Sequence, residues 1–129
     1  MTLRVGDRIT FERVFTKRDV ELFTKISRDE GDHHLTADEQ GRLVVQGLLT
    51  ATLPTKVGGD YNVLARKMNF EFFRPVFTGD TIICEVEIQE YEPTEKNRMM
   101  IYAEFTCDNQ HGKVVLTGNF SGVILDKKD

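Results

Sequence analysis

The chain has 129 residues, enough for one domain (1–129) with a buried core that needs no staples. A hydrophobic fraction of 40% and a charged fraction of 29% are ordinary for a soluble protein, and a formal charge of −4 argues against a nucleic-acid-binding surface. With no signal-peptide pattern and no apolar run long enough for a bilayer, neither a membrane nor a nucleic-acid partner is expected, and the location expected is cytoplasmic.

Arg8 to Phe15 alternates, with Ile9, Phe11, Arg13 and Phe15 on one side, and reads as a short strand at an edge. Thr16 followed by Asp19 has the form of a capping box, with Asp in place of Glu, so a helix is expected over 17–28. Its apolar face is expected to carry Val20, Phe23 and Ile26, and its left-handed end is expected near Gly31. An acidic turn follows: Asp29, Glu30, Gly31, Asp32, His33 and His34 hold two of the three histidines of the chain. Carboxylates are disfavoured at a helix C-terminus, so Asp29 reads either as a solvated acid or as one held there for chemistry.

The run from Val44 to Lys56 is apolar almost all round and reads as a buried central helix. Pro54 is expected to kink or shorten it, and Gly58-Gly59-Asp60 to end it. Four strands follow. The first spans 62–74 and sets Met68, Phe70 and Phe72 against Lys67, Asn69 and Glu71. The second spans 81–91, with Ile82, Cys84, Val86 and Ile88 inward. The third spans 98–107, and the fourth spans 113–125, with Gly118 and Gly122 at close-packing or bulge positions. Cys84 and Cys107 sit in apolar strands without metal-ligand spacing and read as buried free thiols. No metal and no cofactor are expected. One apolar helix followed by a meander predicts an α+β domain, a sheet wrapped around that helix.

The turn and the central helix together make a plausible acid–base site for a carbonyl compound: a carboxylate, an imidazole and the free N–H groups of a helix start. Asp29 and His34 are five positions apart. Val45-Gln46-Gly47-Leu48-Leu49 follows, then Arg74-Pro75-Val76-Phe77-Thr78-Gly79-Asp80. This pattern resembles the MaoC-like (R)-specific enoyl-CoA hydratase family, whose signature reads D-x-N-P-x-H, then V-H-G-x-L, then R-P-V-x-x-G-D. The resemblance runs from about Val5 to Val123 and implies the hot-dog fold, an antiparallel sheet wrapped around a central apolar helix.

By the same resemblance the chain is a hydratase or dehydratase that interconverts a trans-2-enoyl and a 3-hydroxyacyl thioester, with an acyl-CoA thioester as substrate. Asp29 and His34 take the catalytic positions, Gly47 the oxyanion position, and Thr55 and Gln46 the supporting ones. The chain departs from the pattern at Gly31-Asp32, where the family has Asn-Pro, and at Gln46, where it has His. The segment from His34 to Gln46 is also shorter. His33 has no counterpart and reads as a solvated or packing histidine. Met99, Met100, Phe105 and the aromatic residues of 70–77 read as acyl-tunnel lining or as plain core, and Arg66, Lys67 and Arg74 as contacts for coenzyme A phosphates or as solvated cations. The competing readings are an acyl-CoA thioesterase of the same fold and a non-catalytic acyl-thioester-binding module. A homodimer is expected, joined through the 62–74 strand.

Overall fold

The computed structural model describes residues 3–125; the ends of the expected 1–129 domain lie outside the described residues. The elements are β1 (Arg8–Val14), α1 (Lys17–Ser27), α2 (Asp32–Leu35), α3 (Gly47–Thr50), α4 (Thr52–Asp60), β2 (Val63–Phe72), β3 (Thr81–Pro93), β4 (Met99–Asp108) and β5 (Val114–Ile124). Among the described residues the strands form one five-stranded antiparallel sheet in the order β1-β3-β4-β5-β2. The two outer strands are therefore β1 and β2. The long helix α4 packs on β2 and β3, so the expected sheet-around-helix arrangement is present.

The alternation in β3 does what it predicts. Ile82, Cys84, Val86 and Ile88 are fully buried, against Ile101, Ala103 and Phe105 of β4 and Leu49, Leu53 and Val57 of the helices. Cys84 and Cys107 are free, buried and opposite one another in the β3–β4 register. The neighbouring Cys107 thiol, and then burial, push the Cys84 thiol far above its ordinary value, so it stays a thiol. Gly118 and Gly122 are close-packing positions: a Cβ there would collide with the backbone carbonyls of Asn69 and Leu64 on β2.

The helices differ from expectation at four points. The capping box forms, with Thr16 Oγ1 accepting from Asp19 N–H and Asp19 Oδ2 accepting from Thr16 N–H. However, the left-handed end of α1 is Arg28 (φ 63°), while Gly31 has an ordinary φ of −55°. The buried face of α1 carries Val20 and Thr24, and Ile26 is 79% exposed. The central helix starts at Gly47, not Val44, and is interrupted at Ala51. Val44 is instead held extended, in a bridge with Phe77, and Val45 N–H donates to Val76 O. Pro54 has no N–H for the carbonyl of Thr50, one turn back, which accounts for the break at that place. The helix is also one-sided, since Leu48, Thr55 and Lys56 are exposed.

Candidate active site

The acidic turn after α1 folds back on itself. Gly31 O accepts from His34 N–H at 2.8 Å and opens the single turn α2. That turn docks on Val44 through both of its backbone groups. Val44 N–H donates to His33 O at 2.9 Å, and Val44 O lies 2.6 Å from His34 Nδ1. A carbonyl only accepts, so Nδ1 carries hydrogen and the other ring nitrogen, Nε2, is the free one. Nε2 lies 3.4 Å from Asp29 Oδ2. The side chain of His34 is only 5% exposed, whereas that of Asp29 is half exposed. The spacing read from the sequence thus brings the carboxylate and the imidazole together.

When the ring is neutral, Nε2 and the carboxylate both accept, and a donor beside the pair could bond to both. One water molecule supplies two hydrogens, one for each.

His34 and Gly47 share a cavity of about 360 Å³, with His33, Thr50, Phe72 and Arg74 also on its walls. Gly47 is the first residue of α3, and among the described residues its N–H has no backbone acceptor. A Cβ on Gly47 would stand 3.0 Å from the Phe72 ring, so the glycine lets β2 close over the helix start. His34 also borders a second cavity, of about 560 Å³, lined by Lys17, Thr24, Lys25 and Leu43 among others.

Gln46 is fully buried beneath this site. Its Nε2 donates to Thr24 Oγ1 at 2.9 Å, and the Thr24 hydroxyl donates to Val20 O at 2.8 Å. Gln46 therefore ties the start of α3 to α1, whose far end leads into Asp29. Gln46 Oε1 and Thr50 Oγ1, one turn apart, are buried without partners among the described residues. Thr55 stands elsewhere. Its hydroxyl donates to Thr52 O, and its side chain borders a different cleft with Gly58, Met68 and Phe120.

The remaining candidates divide. Arg74 borders the His34 cavity and donates to Val114 O. Arg66 and Lys67 are exposed on β2. Phe105 is core, between Phe70 and Phe120. Gly79 and Asp80 serve the backbone: Gly79 takes φ 94°, and Asp80 Oδ2 accepts from Phe77 N–H. Sequence reasoning missed Thr24 and the Val44 carbonyl. Thr24 lies four residues after Val20, a spacing that points to the same helix face. A backbone carbonyl leaves no mark on the sequence.

Residues 35–118 match a family model described as FAS1-like, dehydratase domain region. The mitochondrial 3-hydroxyacyl-[acyl-carrier-protein] dehydratase of Arabidopsis thaliana is 24% identical over 134 residues, spanning 98% of this chain and 80% of its own length. An R-hydratase from Pseudomonas aeruginosa, unliganded, is similar in backbone, with a TM-score of 0.80 and 24% identity over 98% of this chain and 84% of that one. A MaoC-like dehydratase from Rhodospirillum rubrum is similar at a TM-score of 0.75 and 18% identity, over 98% and 96% of the two chains.

Proposed function

The chain belongs to the FAS1-like dehydratase-region family in its MaoC-like hot-dog form, and from that premise we propose that it interconverts a trans-2-enoyl thioester and a 3-hydroxyacyl thioester, with coenzyme A as carrier. The observation that carries the reading is the pairing of Asp29 Oδ2 with His34 Nε2 beside a cavity that also exposes a helix start at Gly47.

In the hydration direction a water beside the two groups donates one hydrogen bond to Asp29 and one to His34 Nε2. Its oxygen attacks C3 while Asp29 takes its proton. The C2–C3 π pair moves toward the thioester carbonyl, and the Gly47 N–H holds the charge that builds on that oxygen. The same proton then returns to C2, so water is added across the double bond with nothing left over. His34 keeps the remaining hydrogen of the new hydroxyl in hand throughout. Gln46 supports the scheme by fixing the start of α3 against α1. Thr55, bonded to Thr52 O, is a supporting hydroxyl only if the substrate extends from the His34 cavity into the cleft beside α4.

Arg74, at the edge of the cavity, is the cation best placed for a carrier phosphate. Homodimer formation through β2 and residence in the cytoplasm belong to the same proposal. Among the described residues no helix is long and apolar enough to cross a membrane.

The test is incubation with crotonyl-CoA and, separately, with a saturated acyl-CoA, following enoyl absorbance and free thiol. Loss of the enoyl signal without thiol release is expected. Thiol release from the saturated substrate would favour a thioesterase instead, and saturable binding without turnover a binding module.

A further inference from the structure

The turn from Asp29 to His34 holds a second imidazole to which the reaction scheme gives no role. The His33 ring centroid lies 3.9 Å from that of His34, with the planes tilted by 54°. Both rings border the cavity that Gly47 shares. His34 is buried and His33 is exposed, so His33 backs the inner ring on its solvent side.

Gly31 accounts for how the outer ring gets there. Its φ of −55° and ψ of 144° are open to any residue, so glycine is not needed for conformation. It is needed for space. A Cβ at position 31 would stand 2.9 Å from His33 Cε1, 3.3 Å from His33 Nδ1 and 3.5 Å from His34 Cδ2. A side chain at 31 and the imidazole at 33 would compete for the same volume.

We propose that His33 is a positioning residue for His34, seated by the absence of a side chain at Gly31, so that positions 31 and 33 act as one unit. This rests on the reading of Asp29 and His34 as the acid–base pair. Besides the covalent bond at Cγ, the bond from Nδ1 to Val44 O fixes one further point of the His34 ring, and the tilt of its plane is left to packing. A second ring packed at 3.9 Å holds that tilt and keeps Nε2 on Asp29. His33 itself touches neither the reacting water nor its proton.

The test compares His33→Ala, His33→Phe, Gly31→Ala and the Gly31→Ala/His33→Ala double in the full chain. A displacement of about 1 Å can cost on the order of 10²-fold in rate, so a partial change of tilt in His33→Ala is expected to lower kcat roughly tenfold, with KM changed less than about twofold. His33→Phe restores most of the loss, because a flat ring again backs His34. Gly31→Ala lowers kcat in the same way with Tm unchanged, since the His33 ring is a movable end that swings aside. The double variant is no worse than His33→Ala, because nothing is left to displace. An unchanged kcat in His33→Ala, or losses that add in the double, overturns the proposal.

A second readout does not depend on turnover. The carbon-bound protons of His34 should carry a ring-current shift from His33 that vanishes in both His33→Ala and Gly31→Ala. A shift that survives Gly31→Ala overturns the seating. A wild type that hydrates no enoyl thioester overturns the acid–base reading alone, and the ring-current measurement still decides how the rings are packed.

Discussion

An imidazole has two nitrogens, and in His34 they do different work. Nδ1 is spent on the Val44 carbonyl, which orients the ring and fixes its hydrogen, and Nε2 is left free beside Asp29, where the proposed reaction would use it. Groups that share one water should fail together. Asp29→Asn keeps the shape of the side chain and removes the base, and His34→Ala removes the partner. General acid–base catalysis is typically worth about 10² to 10⁴-fold, so each change should lower the hydration rate by at least the smaller figure. The double variant should be little worse than either single one, as for residues that act as a unit. Asp29 is exposed in a turn, so Asp29→Asn should leave Tm nearly unchanged. Steady-state hydration of a short enoyl-CoA with melting curves decides it: an Asp29→Asn variant with most of its activity would remove Asp29 from the mechanism. At this scale the sequence was informative where chemistry sits in side chains at short spacing, as Asp29 and His34 do. It was silent on the Val44 carbonyl, and it left His33 as a solvated or packing histidine, because the fit of one ring over Gly31 is a matter of tenths of an ångström.

Among the elements, the tie between α1 and α3 is what sets Asp29 and Gly47 into one frame. It runs through a single buried chain, from Gln46 Nε2 to Thr24 Oγ1 to Val20 O. Thr24→Val keeps the volume but strips the Gln46 amide of its 2.9 Å partner, leaving only the 3.4 Å contact to Val20 O. A buried donor left short of a partner costs about 1–3 kcal/mol, so the denaturation midpoint should fall with an unchanged m-value. A midpoint equal to that of the wild type would mean that the tie contributes nothing to stability. The loop between α2 and α3 has its own lock. The Arg42 N–H bonded to Asp38 holds that carboxyl below its ordinary value of 3.8; a loss of hydration opposes this, and the Arg42 guanidinium and Gln40 N–H reinforce it. A lowered carboxylate stabilises the fold above its unfolded value, and the contribution is lost as pH falls through the lower folded value. The Arg42 amide proton shift should therefore show an acid transition that Asp38→Asn abolishes; a flat titration in the wild type would sink this account. Alternation made the strands legible, since β3 buries one face completely. The central helix was misread at its start because Val44 and Val45 continue its apolar run, yet they are held extended by Phe77 and Val76, far along the chain.

For the whole molecule the question is what covers β2. It ends the sheet, and in the isolated protomer Leu64, Met68 and Phe72 are all exposed. Leu48, 60% exposed beside Gly47, and Phe73 are exposed as well. The other outer strand, β1, carries Arg8, Glu12 and Arg13, the kind of charge that discourages edge pairing. The bulge between Ala65 and Lys67 bends β2 against β5 and leaves 67–72 as the regular stretch of that edge. A second copy related by a twofold axis would cover the surface with its own equal, and β2 pairing with itself would extend the sheet. The chain should therefore be a homodimer, with an interface in the range of about 1,200–2,000 Å² common to stable complexes. Light scattering at micromolar concentration is the measurement. Leu64→Asp combined with Met68→Asp should give a folded monomer, because neither side chain belongs to the buried core. Its activity should fall as well, since Phe72, which closes over Gly47, lies on the strand that loses its partner. A wild type that stays monomeric at that concentration would leave β2 with another occupant and would separate assembly from the chemistry at His34.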